Sequence, residues 1–209
     1  MQHSNPETGA LPNVMRGEET QLLGVMARQP ALAQRALLIM PGTHSKWAMI
    51  EDERLTAFTT HMTGELYAVL REHSILGRPA LECQEDATDA TSQRAFDEGL
   101  ENARDAGSAG LSGQLFSVRS RVLAGELSPA ASLAYLSGLL IGEEIRSAMA
   151  MLGETPCLRL ALIGDDVLCR RYTQALAHFE CPDVETISDA SISGLMTIAR
   201  HAGLIDPAG

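Results

Sequence analysis

Arg35-Ala-Leu-Leu-Ile-Met-Pro41, Gly42-Thr43-His44-Ser45 and Lys46-Trp47-Ala48-Met49-Ile50 decide the fold, together with Arg54-Leu-Thr-Ala-Phe-Thr-Thr60 beyond the turn Glu51-Asp52-Glu53. The first run is short, apolar and continuous, as a strand buried on both faces requires. A turn follows, then two further strand-like runs separated by polar residues. Three strands joined by tight connections predict an antiparallel meander.

Upstream, residues 1–13 are polar and carry Pro6, Gly9 and Pro12, which predicts an extended entry. From Met15 to Gln29 apolar residues recur at helical spacing (Met15, Leu22, Leu23, Met26) until Pro30, which cannot supply the next ladder donor. Downstream, a helix is expected from Thr63, with the Thr63 hydroxyl as its cap and Glu65 in its first turn. Its apolar face would be Leu66, Val69, Leu70 and Ile75. Residues 77–89 are polar and turn-rich. Residues 90–127 look helical, interrupted by Gly107, Gly110 and Gly113. Pro129 suits the first turn of a helix running through Leu133, Leu136, Leu139, Leu140 and Ile145 to about Leu152. Residues 158–164 predict a strand, 165–179 a helix, 183–187 a strand and 188–202 a last helix. A meander followed by β-α-β-α predicts an α/β, ribonuclease-H-like lobe, with two parallel strands added through crossovers and a helical insertion at about 78–156. The domain reading is a segment 1–33 with one helix and a lobe at 34–209.

Of 209 residues, 45% are hydrophobic and 21% charged, ample for a buried core and against disorder. The formal net charge is −11, and no run of Lys or Arg exceeds Arg170-Arg171. Such a surface repels nucleic acid and anionic membranes. No apolar stretch approaches the roughly 20 residues of a bilayer span. The first residues lack the basic start and apolar region of a secretory signal. Cys83, Cys157, Cys169 and Cys181 form no C-x-x-C pair and are expected as free thiols, so a cytoplasmic location is expected.

Chemistry concentrates in a few places. Gly42, Thr43, His44, Ser45 and Lys46 bring amides, hydroxyls and an ammonium into one turn, groups that meet phosphate oxygens. Lys46 is the only lysine, the other 15 of the 16 basic residues being arginine. The same turn reads equally as a plain hairpin with an exposed lysine. Arg16-Gly17-Glu18-Glu19-Thr20-Gln21 sets a cation beside two carboxylates at a helix start. That set could hold a substrate carboxylate and take up a proton, or form a solvated first turn. Gly17 fits a plain helix poorly, since Gly costs about 1 kcal/mol against Ala there. Gly164 closes a strand before a helix, where a nucleotide can approach the backbone, while Asp165 or Asp166 can simply cap that helix. Gly138 and Gly142, one helical turn apart, point to close helix packing. His44, His61, Glu65 and His73 invite a metal reading, but no H-E-x-x-H pair occurs.

Read together, Asn13-Val-Met-Arg-Gly-Glu-Glu-Thr-Gln-Leu-Leu-Gly24, Met40-Pro-Gly-Thr-His-Ser-Lys-Trp47, Phe58-Thr-Thr-His-Met-Thr-Gly-Glu-Leu66 and Leu136-Ser-Gly-Leu-Leu-Ile-Gly-Glu-Glu144 resemble 2-dehydro-3-deoxygalactonokinases. The resemblance is collinear from about Asn13 to Ala202. It implies the sugar-kinase and actin superfamily fold. It also implies ATP- and Mg²⁺-dependent phosphorylation of 2-dehydro-3-deoxygalactonate at its 6-hydroxyl, in galactonate breakdown. On that resemblance Gly42–Lys46 forms a phosphate loop and Gly164 meets adenosine. Arg16, Thr63 and Glu65 bind substrate, and Glu18 or Glu19 serves as catalytic base. Metal ligands are not identified.

Two departures stand out. Family members are longer, with an amino-terminal lobe carrying Asp-x-Gly-(Ser/Thr). The letters Asp105-Ala-Gly107-Ser108 recur here but follow a helical segment and read as a helix end. Asn13 stands where several members have Asp. The expectation is therefore a truncated or split kinase with little activity alone, partnered by the missing lobe or by a second copy. The alternative is a non-catalytic remnant acting as an interaction module, and a metal-dependent hydrolase is a distant third.

Overall fold

A short antiparallel pair, β1 (Gln2–His3) with β2 (Asn13–Val14), leads into α1 (Glu18–Arg28) and α2 (Pro30–Gln34). The meander follows as β3 (Arg35–Met40), β4 (Ser45–Glu51) and β5 (Arg54–His61). Next come α3 (Thr63–His73), α4 (Arg78–Glu82), α5 (Asp89–Arg104) and α6 (Leu111–Leu123). A 3₁₀ turn at Pro129–Ala131 opens α7 (Ser132–Leu152). The chain closes with β6 (Arg159–Ile163), α8 (Asp166–His178), β7 (Val184–Ile187) and α9 (Ala190–His201). This computed structural model describes residues 2–3, 12–84, 87–152, 158–181 and 183–205.

The described residues form two compact units. The first holds everything up to His61, with 158–170 and 183–205; the second holds 62–152 and 171–181. In the first, five strands pair in the order β5-β4-β3-β6-β7. The β3–β4 and β4–β5 ladders are antiparallel, whereas β3–β6 and β6–β7 are parallel. This is the ribonuclease-H-like α/β arrangement expected from the meander.

Strand alternation sorts the sheet's side chains. Ala36, Leu38 and Met40 of β3, Ala48 and Ile50 of β4, and Phe58 of β5 share one buried cluster with Leu22 and Val25 of α1 and Ala190 of α9. The intervening Leu37, Ile39 and Leu162 are buried as well, so both faces of the central strands are covered. That double burial explains the unbroken apolar run. At the β4–β5 hairpin Asp52 and Glu53 both take positive φ (49° and 61°), the geometry of a two-residue turn. Their amides donate to the carbonyls of Gln34 and Ala33, which holds the strained pair against the end of α2.

α1 lies tight on α9: a Cβ on Gly24 would collide with the Ala190 carbonyl, and one on Gly194 with the Thr20 carbonyl. In the second unit α5 and α7 approach as closely, Gly138 against the Phe96 carbonyl and Gly99 against the Tyr135 carbonyl. The Gly138–Gly142 pair is thus a packing device.

Four local expectations change. Pro30 ends α1 but also starts α2, as its fixed φ suits a first helical residue. The 77–89 stretch contains α4. Thr63 does not cap α3; Met62 is the cap residue and makes no side-chain cap bond, while Thr63 is buried in the first turn. The packed face of α3 is Tyr67 and Leu70, with Leu66, Val69 and Ile75 exposed. Helical spacing supports either stripe, and only neighbouring elements choose between them.

Gly24→Ala and Gly138→Ala should each destabilise the protein by about 1–3 kcal/mol through overpacking against backbone. Gly113→Ala in α6, where an added Cβ meets nothing within 4 Å, should instead gain up to about 1 kcal/mol. Urea unfolding of the three variants tests the contrast.

Candidate active site

The carboxyl ends of the parallel strands β3 and β6 lie side by side, with Ile39 opposite Leu162. Pro41 and Gly164 leave them together: a Cβ on Gly164 would sit 3.6 Å from the Pro41 carbonyl oxygen and 3.8 Å from Cys169 Sγ. Open α/β sheets take up ligands at this edge, where strand ends meet helix starts. Gly164 is exposed and those distances are ordinary contacts, so an alanine fits there in the unliganded chain. Asp165 caps α8, its Oδ1 accepting from the amides of Val167 (2.9 Å) and Leu168 (3.2 Å). Burial, then Asp166 and Asp165, push the Cys169 thiol above its usual range, which makes it a poor nucleophile.

The 42–45 turn is braced from within. The Gly42 amide donates to Ser45 Oγ at 3.4 Å, and Ser45 is fully buried. Thr43 and His44 are exposed, and the space beside Gly42 is open. Lys46 follows on β4. By strand alternation it shares the face of Ala48 and Ile50, the face that α1 covers. Its ammonium therefore reaches the start of α1, 3.5 Å from Glu18 Oε1, and donates to the His44 carbonyl at 3.3 Å. The Lys46 side chain is 5% exposed against 27% for Glu18. An exposed hairpin lysine is thereby excluded.

The start of α1 is wound around its own acids. The Arg16 amide donates to Glu18 Oε2 (2.8 Å) and the Gly17 amide to Glu19 Oε2 (2.6 Å). Gly17 has φ 108°, a conformation L side chains rarely adopt, which explains the glycine ahead of the helix. Burial raises the Glu19 carboxyl, but the hydrogen bonds it accepts, those from the Gly17 and Glu19 amides among them, outweigh this and hold it below the usual range. The Arg16 side chain is exposed and forms no ion pair among the described residues.

Comparison with known proteins adds the family. Residues 3–198 match the 2-keto-3-deoxy-galactonokinase family profile. This chain belongs to the 2-keto-3-deoxy-galactonokinase family. It is 37% identical over 189 residues to the 2-dehydro-3-deoxygalactonokinase of Escherichia coli, covering 90% of this chain and 60% of that protein. A probable 2-dehydro-3-deoxygalactonokinase of Rhizobium meliloti is 41% identical over 165 residues, covering 79% and 51%. The chain thus spans only about half to three-fifths of these relatives. A crystal structure from Sinorhizobium meliloti, provisionally assigned as a 2-dehydro-3-deoxygalactonokinase, superposes with TM-score 0.83 at 34% identity, covering 98% of this chain and 65% of that one. An activator of 2-hydroxyisocaproyl-CoA dehydratase from Clostridium difficile, 12% identical with TM-score 0.50, shares the fold alone (93% of this chain, 71% of that one).

Within this kinase-family chain the first unit brings together Glu18, the 42–46 turn and Gly164, with Arg16 and Glu19 beside Glu18. Thr63 and Glu65 open α3 in the second unit. Asp105 ends α5 and Gly107 turns the chain at φ 58°, so Asp105-Ala-Gly107-Ser108 is a helix end. Thr60 escaped sequence reasoning. It faces Lys46 across the β4–β5 ladder, and its buried hydroxyl finds no partner among the described residues. A threonine in a strand carries no signal of this; only the register places it opposite Lys46. Among the described residues no group of three or more His, Cys, Asp or Glu could hold a metal, and no helix is long and apolar enough to cross a membrane. Cys83, Cys169 and Cys181 are free, and Cys157 lies outside the described residues.

Because Glu19 titrates lower folded than unfolded, its stabilisation is complete at neutral pH. It is lost as pH falls from the usual glutamate value of 4.5 through the folded-state value. Glu19→Gln should flatten that limb of the acid-unfolding curve. Glu18→Gln, which strands a buried ammonium, should cost about 1–3 kcal/mol. Lys46→Met, which leaves a carboxylate that water can reach, should cost less; urea unfolding of both variants decides.

Proposed function

We propose that this chain carries the phosphate loop and part of the sugar-acid grip of an ATP-dependent 2-dehydro-3-deoxygalactonate kinase. The reaction transfers the γ-phosphoryl group to the 6-hydroxyl in galactonate breakdown, in the cytoplasm. The observation that supports this most directly is the pairing of the buried Lys46 ammonium with Glu18 at the sheet's carboxyl edge. A strand-borne cation there is held in place before any ligand arrives. Preorganised charge of this kind stabilises a transferring phosphoryl group without reorganisation.

Roles follow from chemistry. The open space beside Gly42 and the exposed Thr43 and His44 suit a phosphate approaching the turn. Lys46 supplies the charge and Gly164 lets adenosine lie against backbone. The exposed Arg16 fork matches the substrate carboxylate. Glu18 or Glu19 is the candidate base, and the depressed Glu19 carboxyl is a weak proton acceptor before substrate arrives. Thr63 and Glu65, at the start of α3, are assigned to substrate on the resemblance of Phe58–Leu66 to the family. Mg²⁺ accompanies ATP in this reading, but the described residues supply no metal cluster, so no ligand to it is assigned and no step is routed through it.

Phosphoryl transfer needs charge neutralised from both sides of the γ-phosphate, and this chain covers 60% and 51% of its full-length relatives. The 209-residue chain alone is therefore expected to bind ATP weakly and to turn over slowly. A coupled ADP-release assay with 2-dehydro-3-deoxygalactonate, beside calorimetric ATP titration, measures both. Lys46→Met should abolish the residual ATP binding, and Lys46→Arg should not restore it, because a fork cannot occupy the place of a compact ammonium. Unchanged ATP affinity in Lys46→Met would remove the phosphate loop from the proposal.

A second reading, an interaction module, is favoured by α9, where Ile192, Leu195, Met196 and Ile198 are exposed. Dimerisation on concentrating the chain, with neither turnover nor ATP binding, would support it.

A further inference from the structure

α9 carries small or apolar residues on two opposite sides. One side faces α1: Ala190 and Gly194 are buried there, and a Cβ added to Gly194 would collide with the Thr20 carbonyl. Gln21 Nε2 donates to Ser191 Oγ (3.2 Å) and Arg28 Nη1 to Ser193 Oγ (3.1 Å), so α1 holds both flanks of that side. The other side turns away from α1. Ile192, Leu195 and Met196 are 63%, 59% and 44% exposed there. With Ala199 they complete an i, i+3, i+4, i+7 series. Such a series covers about 100° of a helix surface, the width of a face that normally packs. A contiguous apolar patch on an otherwise solvated helix marks an interaction surface.

The order of residues along this face fits a second copy of the same helix. Set antiparallel about a two-fold axis level with Leu195 and Met196, the stripe is its own complement. Leu195 then packs on the partner's Met196, and Ile192 lies over the partner's Ala199, a large side chain on a small one. Charge follows the same symmetry. Asp189 and Arg200 are both exposed and stand about three turns apart, which puts them on one flank of the stripe. In an antiparallel pair that flank meets itself in reverse, so Arg200 arrives beside the partner's Asp189, and the contact occurs twice. A parallel pair would hold the two charges three turns apart. Two copies that each carry a net charge of −11 repel at long range, which makes this local match of opposite charges matter.

We infer that the outward face of α9 is a homodimer interface, with two copies of the chain paired antiparallel through Ile192, Leu195, Met196 and Ala199 and an Asp189–Arg200 ion pair at each end. One helix face is small against the roughly 800 Å² per partner of a standard interface, so the dimer is reversible, with Kd on the order of 10–100 µM. The inference deepens the interaction-module reading above. Its test reads mass alone, so the presence or absence of ATP binding or turnover leaves it standing.

Sedimentation of the 209-residue chain across that concentration range, at low salt, tests it. The chain should pass from monomer to dimer. Leu195→Glu, at an exposed position that the fold does not need, should stay monomeric throughout. Val69→Glu adds the same charge to the exposed face of α3 and should dimerise like the unaltered chain. Arg200→Asp, which turns each end contact into a repulsion, should weaken the dimer about tenfold. A urea unfolding curve for each variant confirms that it is folded. A monomer at every concentration would overturn the inference and leave the stripe to the additional length that the relatives carry. A dimer undiminished in Leu195→Glu, or a Kd unmoved in Arg200→Asp, would overturn it equally.

Discussion

The ion pair between Lys46 and Glu18 is the constraint on which the first unit turns. An ammonium with so little exposure is costly unless a carboxylate and hydrogen-bond acceptors surround it. Glu18 and the His44 carbonyl meet that need. In doing so they fix the start of α1 over β4 and the shape of the turn between β3 and β4. The only lysine in the chain is therefore a joint between strand and helix before it is anything else. The arrangement also places two charges at the sheet edge where parallel strands end.

Backbone contact does the remaining tethering. α1 rests on α9 through Gly24 and Gly194, and α5 rests on α7 through Gly99 and Gly138. At each place glycine is required by the nearness of another main chain. Glycine weakens each helix by its own propensity, and the close contact between helices offsets that. Gly17 is different, because there the positive φ requires it.

Much of the fold was legible because its signals are local and strong. The unbroken run Ala36–Met40 needs burial on both faces, and short polar breaks leave a meander little alternative. Gly107 and Gly110 separate α5 from α6, and Pro129 opens the turn before α7, as their backbone chemistry demands. Less was legible where two stripes of one helix are both apolar enough. In α3 the choice of Tyr67 and Leu70 over Leu66 and Val69 depends on what stands opposite. The site was partly legible: an isolated lysine beside Gly42 and an arginine beside two glutamates are unusual strings. Their meeting was not, since residues 18 and 46 share no local pattern, and Thr60 carries no pattern at all.

The sequence by itself determined the order of the main strands and helices, the mixed sheet and the family, because these follow from periodicity, turn chemistry and long contiguous motifs. The short α2 and α4 and the β1–β2 pair came only with the structure. The tertiary structure decided which groups touch. It buried Lys46 against Glu18 and tied Glu19 to the Gly17 amide. Such outcomes depend on distances between segments far apart in the chain. Hydrogen bonds and ion pairs form over about 3 Å, and spacing along a sequence cannot specify a gap that small.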